Sequence, residues 1–168
     1  SLQSSYPSIS RATSFVNSCK PHLAVIKSNL GSTNDEYLTI SSAVANNALG
    51  MVISVVNSAQ SSSNLALNIA SGSLATTIDS AISAMSIIGS LDMNSSERSH
   101  VNQNNGTLSS LKTQLSSLSS YRRSSYGGGS TYRSSSSSSS DDTNWGCIGA
   151  VIIGVILVIF TIIISANG

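Results

Sequence analysis

The chain has 168 residues, a net charge of +1, 9% charged and 5% aromatic side chains, and two cysteines. That length allows one domain plus an anchor. The even charge balance excludes a global field for nucleic acid or an acidic substrate, and Cys19 with Cys147 supplies neither a disulfide framework nor a zinc-ligand pattern.

Residues 1–8 read as a polar tail; the chain starts at Ser1 rather than Met, as a processed product or a fragment does. From Ala12 the apolar positions Phe15, Val16, Cys19, Leu23, Ile26 and Leu30 follow three-and-four spacing, one face of a helix. Gly31 follows as a stop signal. Pro21 removes a backbone donor, so the spacing predicts a kink there or two short helices. Thr33 and Glu36 have capping-box spacing and predict a second helix from Asn34 to about Gln60, weakened by Gly50. Ser61, Ser62 and Ser63 end it. A third helix is expected from about Asn64 to Ile88 on Leu65, Ile69, Leu74, Ile78, Ile82 and Met85, with a turn over residues 89–94.

Between Tyr37 and Leu91 the only charged residue is Asp79. One account is a Ser- and Asn-solvated surface over a bundle core; the other is a pair of helices covered by a partner or by lipid. Asn46, Asn47, Asn57, Asn68 and the serines interrupt both helices too often for either to span alone, which favours the bundle. A fourth helix is predicted from Ser95 or Ser96 to about Tyr121. Its Val101, Asn104, Leu108, Leu111, Leu115 and Leu118 form a coiled-coil-like seam. Leu108, Leu111, Leu115 and Leu118 are the candidate stripe for a protein partner or a second copy of the chain, although such a stripe is more often the material of a bundle core. Asn104 is either a buried register-setting polar group or part of a frayed end near Gly106.

Residues 122–144 are a Ser/Gly-rich, low-complexity linker that cannot bury a core. About twenty such residues reach roughly 25 Å on average. Arg122, Arg123 and Arg133 precede the next segment with no acid before Asp141, which places the bundle on the cytoplasmic side by the basic-residue rule.

Residues 148–164 read IGAVIIGVILVIFTIII: seventeen residues without a charge, thirteen of them Ile, Val, Leu or Phe. With flanks, residues 145–166 rise roughly 33 Å as a helix, enough to cross a hydrocarbon core of about 30 Å. Such a run is more than twice the usual length of a core strand. Trp145 sits where an interfacial aromatic belongs, and Ile148, Val151, Ile156, Phe160 and Ile164 would face lipid as a single-pass, C-terminal anchor, leaving residues 167–168 as a tail. Gly146, Ala150 and Gly154 repeat every four residues, a candidate helix-packing face in lipid.

Chemistry is sparse. There is no phosphate-binding loop with a lysine and no zinc-protease histidine pair. Cys19 and His22 are half a metal site at most. Asp79 is a lone carboxylate better suited to a structural hydrogen bond than to acid–base work. Asn94-Ser95-Ser96 and Asn105-Gly106-Thr107 match the glycosylation acceptor, and Cys147 lies where acylation occurs at a membrane edge.

The runs SFVNSCKPHLAVIKSNLGSTNDEYL (residues 14–38), VANNALGMVISVVNSAQ (44–60) and SIIGSLDMNSSERSH (86–100) resemble the C-terminal half of a family of uncharacterised bacterial membrane proteins, some of which carry an upstream J domain. The resemblance spans residues 15–118 and implies a bacterial inner-membrane location; it transfers no activity, and the His-Pro-Asp motif of a J domain is absent here. The sequence thus predicts an all-α protein: an antiparallel bundle of about four helices over residues 9–121, a linker, and one transmembrane helix. The expected role is a non-enzymatic, membrane-tethered interaction or scaffold module without a cofactor. A membrane-active pore or fusion-type protein, and a GPI-anchored surface protein whose tail is removed, are the alternatives.

Overall fold

The computed structural model describes residues 8–124, with side chains described through residue 117. Five helices occupy this span: α1 (Ile9–Leu30), α2 (Asp35–Gln60), α3 (Leu65–Ala70), α4 (Ser73–Gly89) and α5 (Ser95–Ser124). The expected linker, the anchor of residues 145–166 with Trp145, Ile148, Val151, Ile156, Phe160 and Ile164, and the Gly146, Ala150 and Gly154 face lie outside the described residues.

The starts of α1 and α2 are fixed by local caps. The Ser8 side chain accepts from the Arg11 amide and opens α1. Gly31, at φ 94°, ends it and donates its N–H to the Lys27 carbonyl at 2.8 Å. Of the two outcomes expected at Pro21, two short helices do not form: α1 runs through it as one helix. Pro21 and Asn17, whose carbonyl loses its donor, are both on the exposed side, where that carbonyl is open to solvent. α2 begins where predicted, but its cap is Asn34 rather than Thr33: the Asn34 Oδ1 accepts from the amides of Glu36 and Tyr37 at 2.9 and 3.2 Å.

The single third helix expected from Asn64 to Ile88 is two helices. The step from Ile69 to Leu74 is five residues, which in a continuous helix turns about 140° past the apolar face. A break at Ser71 and Gly72, the latter at φ 77°, removes that mismatch. Leu65 and Ile69 of α3 then cover the same cluster that Leu74 and Ile78 of α4 build.

The four long helices run alternately up and down. Lys27 near the end of α1, Tyr37 in the first turn of α2 and Asp92 between α4 and α5 meet at one end; Ile9, Val55 and Thr76 meet toward the other. α2 and α4 pack on each other, and each packs on both α1 and α5. They are therefore the central pair, and this explains the charge-poor run from Tyr37 to Leu91. Their inward faces are apolar or small, with Ala45, Ala48, Ala81 and Ala84 fully buried. Their outward faces carry Thr39, Asn46, Asn47, Ser54, Thr76, Ser80 and Ser83, the Ser- and Asn-solvated surface. α2 is long and apolar enough to cross a membrane by length and composition alone, yet here that apolar length serves the core.

The core has two parts. The larger joins Val16 and Leu23 of α1 to Val52 and Val56 of α2, Met85 and Ile88 of α4, and Val101 and Leu108 of α5. The smaller holds Leu74, Ile78, Leu111 and Leu115 under α3.

Candidate functional site

The densest polar arrangement lies where the α4–α5 turn crosses the ends of α1 and α2. Asp92 Oδ2 accepts from Lys27 Nζ at 2.8 Å and from Tyr37 Oη at 2.6 Å. Helical geometry brings both donors there: Lys27 is in the last turn of α1 and Tyr37 in the first turn of α2, across a short connection. Beside them the Asn94 amide donates to Ser42 Oγ at 3.0 Å. Asn94 Oδ1 in turn accepts from the Glu97 amide at 2.8 Å and caps α5. Arg98 reaches back, donating to the carbonyls of Gly89 and Leu91 at 2.7 and 2.9 Å. Helix C-termini leave carbonyls without intrahelical donors, and the guanidinium fork satisfies two at the end of α4.

The electrostatics follow from this geometry. The Lys27 and Tyr37 hydrogen bonds hold the Asp92 carboxyl below its usual value of 3.8. Burial, reinforced by the hydrogen bond to Asp92, pushes the Tyr37 hydroxyl up to about 12. The pair is thus an ionised carboxylate gripping a neutral phenol. That arrangement suits a clasp: the phenol is held against ionisation and its proton is already engaged. Burial also raises the Glu97 carboxyl above its usual 4.5.

The candidates named from the sequence fall elsewhere. Leu108, Leu111 and Leu115 are not an open contact stripe: they are 5%, 0% and 7% exposed and pack inside the bundle. The side chain of Leu118 lies outside the described residues. The seam faces inward because α4 presents Leu74, Ile78 and Met85 along the same length. Asn104 is buried rather than frayed, and its Nδ2 donates to the His100 carbonyl at 2.8 Å. Asp79 forms an exposed ion pair with Lys112 at 2.7 Å. Cys19 is half-buried and His22 exposed, and no group of three or more His, Cys, Asp or Glu residues converges to hold a metal among the described residues. Of the two glycosylation acceptors, Asn94 is exposed but caps α5 through Oδ1, and Asn105 is exposed on its flank.

Two spaces accompany this framework. An apolar cavity of about 10 Å³, with Leu49, Val52, Met85 and Asn104 among its walls, is a packing gap of roughly one water's size. An open groove of about 520 Å³ runs between the first turn of α1 and the outer face of α4. Its Thr76, Thr77, Ser80 and Ser83 hydroxyls each donate to the carbonyl four residues back, at 2.9–3.1 Å. Their donors are spent within α4, so the groove offers methyls and acceptor lone pairs.

The clasp was not legible in the sequence. Lys27 and Tyr37 lie 65 and 55 positions from Asp92, and nothing in their spacing links them. Comparison of the chain with family models, curated proteins and solved structures gave no match.

Proposed function

We propose that this protein is a non-enzymatic helical bundle tethered to a lipid bilayer through residues 145–166, and that it acts as an interaction or scaffold module at that surface. The observation that carries the reading is the uncharged run of residues 148–164, thirteen of seventeen being Ile, Val, Leu or Phe. At about −0.3 to −0.6 kcal/mol for each such residue, the run favours insertion by roughly 5 kcal/mol. The bundle supports it in a second way: Lys27, Tyr37 and Asp92 at its clasped end are engaged with one another in holding helices together. A tether of about twenty residues keeps the bundle within tens of ångströms of the bilayer and raises its effective concentration for partners there. The arginines before the span put the bundle on the cytoplasmic face, in a bacterial inner membrane if the family resemblance holds.

Fractionation tests this reading. The full chain is expected in the membrane pellet after detergent-free lysis, resistant to high salt and to carbonate. A chain ending at Ser124 is expected in the supernatant with its helical circular dichroism intact. Full-length protein in the supernatant with its C-terminus retained overturns the proposal.

A further inference from the structure

We propose that α3 is a hinged lid over the smaller core, able to lift away while the four long helices stay folded. The lid concerns the bundle alone and is independent of how the chain is held at a membrane.

Three features of α3 separate it from its neighbours. It has no buried residue, although its Leu65 and Ile69 pack against a buried cluster of Leu74, Ile78, Leu111 and Leu115. It holds that cluster only through the half-buried Leu65 and Ile69, while its Leu67 is 64% exposed. It is bounded by the turn of residues 61–64 on one side and by Gly72 on the other, whose φ of 77° is the left-handed conformation glycine adopts readily.

The end of α2, from which the turn into α3 departs, also carries unpaired buried polar groups. Gln60, at the end of α2, is 2% exposed, and neither its Oε1 nor its Nε2 finds a partner among the described residues. Asn57 Oδ1, one turn earlier, is likewise buried and unpaired. Burying amide groups without hydrogen bonds is costly, and a lid that covers them returns them to water when it lifts. The hydrogen bonds that resist are few: Asn68 Nδ2 to Ser62 Oγ at 2.9 Å and to the Ala59 carbonyl at 3.4 Å, the first of them within the lid's own turn. α3 is therefore a segment with little holding it down, two points about which it can turn, and buried polar groups that favour release. Opening would uncover one side of the apolar cluster that Leu74 and Ile78 of α4 form with Leu111 and Leu115 of the leucine seam.

Hydrogen exchange read by mass spectrometry on the full chain in detergent micelles tests the lid. The amides of α3 are expected to exchange at least tenfold faster than those of α4, at a rate that low urea leaves unchanged, as a local opening requires. Leu65→Ala with Ile69→Ala is expected to speed α3 exchange a further tenfold and leave α1 untouched. Gln60→Leu, which removes the unpaired amide at similar volume, is expected to slow α3 severalfold. Equal protection of α3 and α4 in the unsubstituted chain, with the same urea dependence, overturns the proposal. So does an acceleration in the double variant that reaches α1 to the same extent, because α3 would then belong to the global folding unit. An unchanged α3 rate in Gln60→Leu removes the buried amide as a cause of opening.

Discussion

At the scale of single residues, Asp92 is the position on which most depends. Its carboxylate is pulled below 3.8, so its contribution to stability is present at neutral pH and lost as the pH falls through and below that value. The carboxylate and Lys27 are both near two-fifths exposed, so solvent screening limits the pair to about 1 kcal/mol. Tyr37 has the opposite sign. Its proton is held up to about 12, and its contribution is full below pH 10 and is lost as the pH rises from 10 toward 12. Tyr37→Phe is therefore expected to cost about 1–2 kcal/mol in urea unfolding at pH 7, and to remove the loss of stability seen above pH 10. Glu97 opposes Asp92 on the acid side. Burial raises its carboxyl, so the folded state favours its neutral form, and that stabilisation disappears as the pH rises past its raised value. Glu97→Gln is expected to leave stability at pH 7 equal or higher by up to about 1 kcal/mol. Below pH 5 it should steepen acid unfolding, because the favourable protonation of Glu97 no longer offsets the loss at Asp92. Urea midpoints between pH 3 and pH 7 would show both effects.

At the scale of elements, the helices are bounded by chemistry that acts within one turn, and substitutions at those boundaries have local costs. Arg98→Ala strands the Gly89 and Leu91 carbonyls at the end of α4. It is expected to cost about 2 kcal/mol, since hydrogen bonds from a charged donor are worth roughly 1.5–3 kcal/mol; a thermal melt reads this as a drop of several degrees. Pro21→Ala works in the other direction. α1 already runs through Pro21 without its amide, so alanine restores a donor to an existing helix and should stabilise by about 1–3 kcal/mol. An unfolding curve shifted to lower urea in that variant would mean that the proline fixes a bend the packing requires.

At the scale of the whole molecule, the leucine seam decides whether α5 is a core helix or a contact helix. Leu111 is fully buried between α4 and α5, and Leu111→Ala is expected to cost about 2–5 kcal/mol by transfer and cavity terms. Because those contacts are within one chain, the loss should not depend on protein concentration. A midpoint that moved with concentration would show instead that a second copy completes the seam. The arrangement of α2 and α4 as the central pair is likewise a whole-molecule fact. It assigns the run with one charge to the inside of the bundle and leaves Arg11, Lys20, Glu97, Arg98 and Lys112 on the two flanking helices.

The sequence by itself determined that the described residues fold as helices and, within a residue or two, where α2 ends and α5 begins, because periodicity, caps and glycine stops act over one or two turns. It also carries the apolar run on which the proposed tether rests, since seventeen uncharged residues need no fold to be read. It did not determine that the third helix breaks at Gly72, although the five-residue step from Ile69 to Leu74 held the clue: an apolar stripe tolerates a slip until a neighbouring helix must be covered. Only the tertiary structure decided which element covers each apolar face. A stripe such as Leu108, Leu111 and Leu115 states that a face is apolar and is silent about whether α4 or a partner lies against it. The clasp of Lys27, Tyr37 and Asp92 was invisible for the same reason, because hydrogen bonds and charge act through space and the chain separates these groups by dozens of residues that the fold brings within 3 Å.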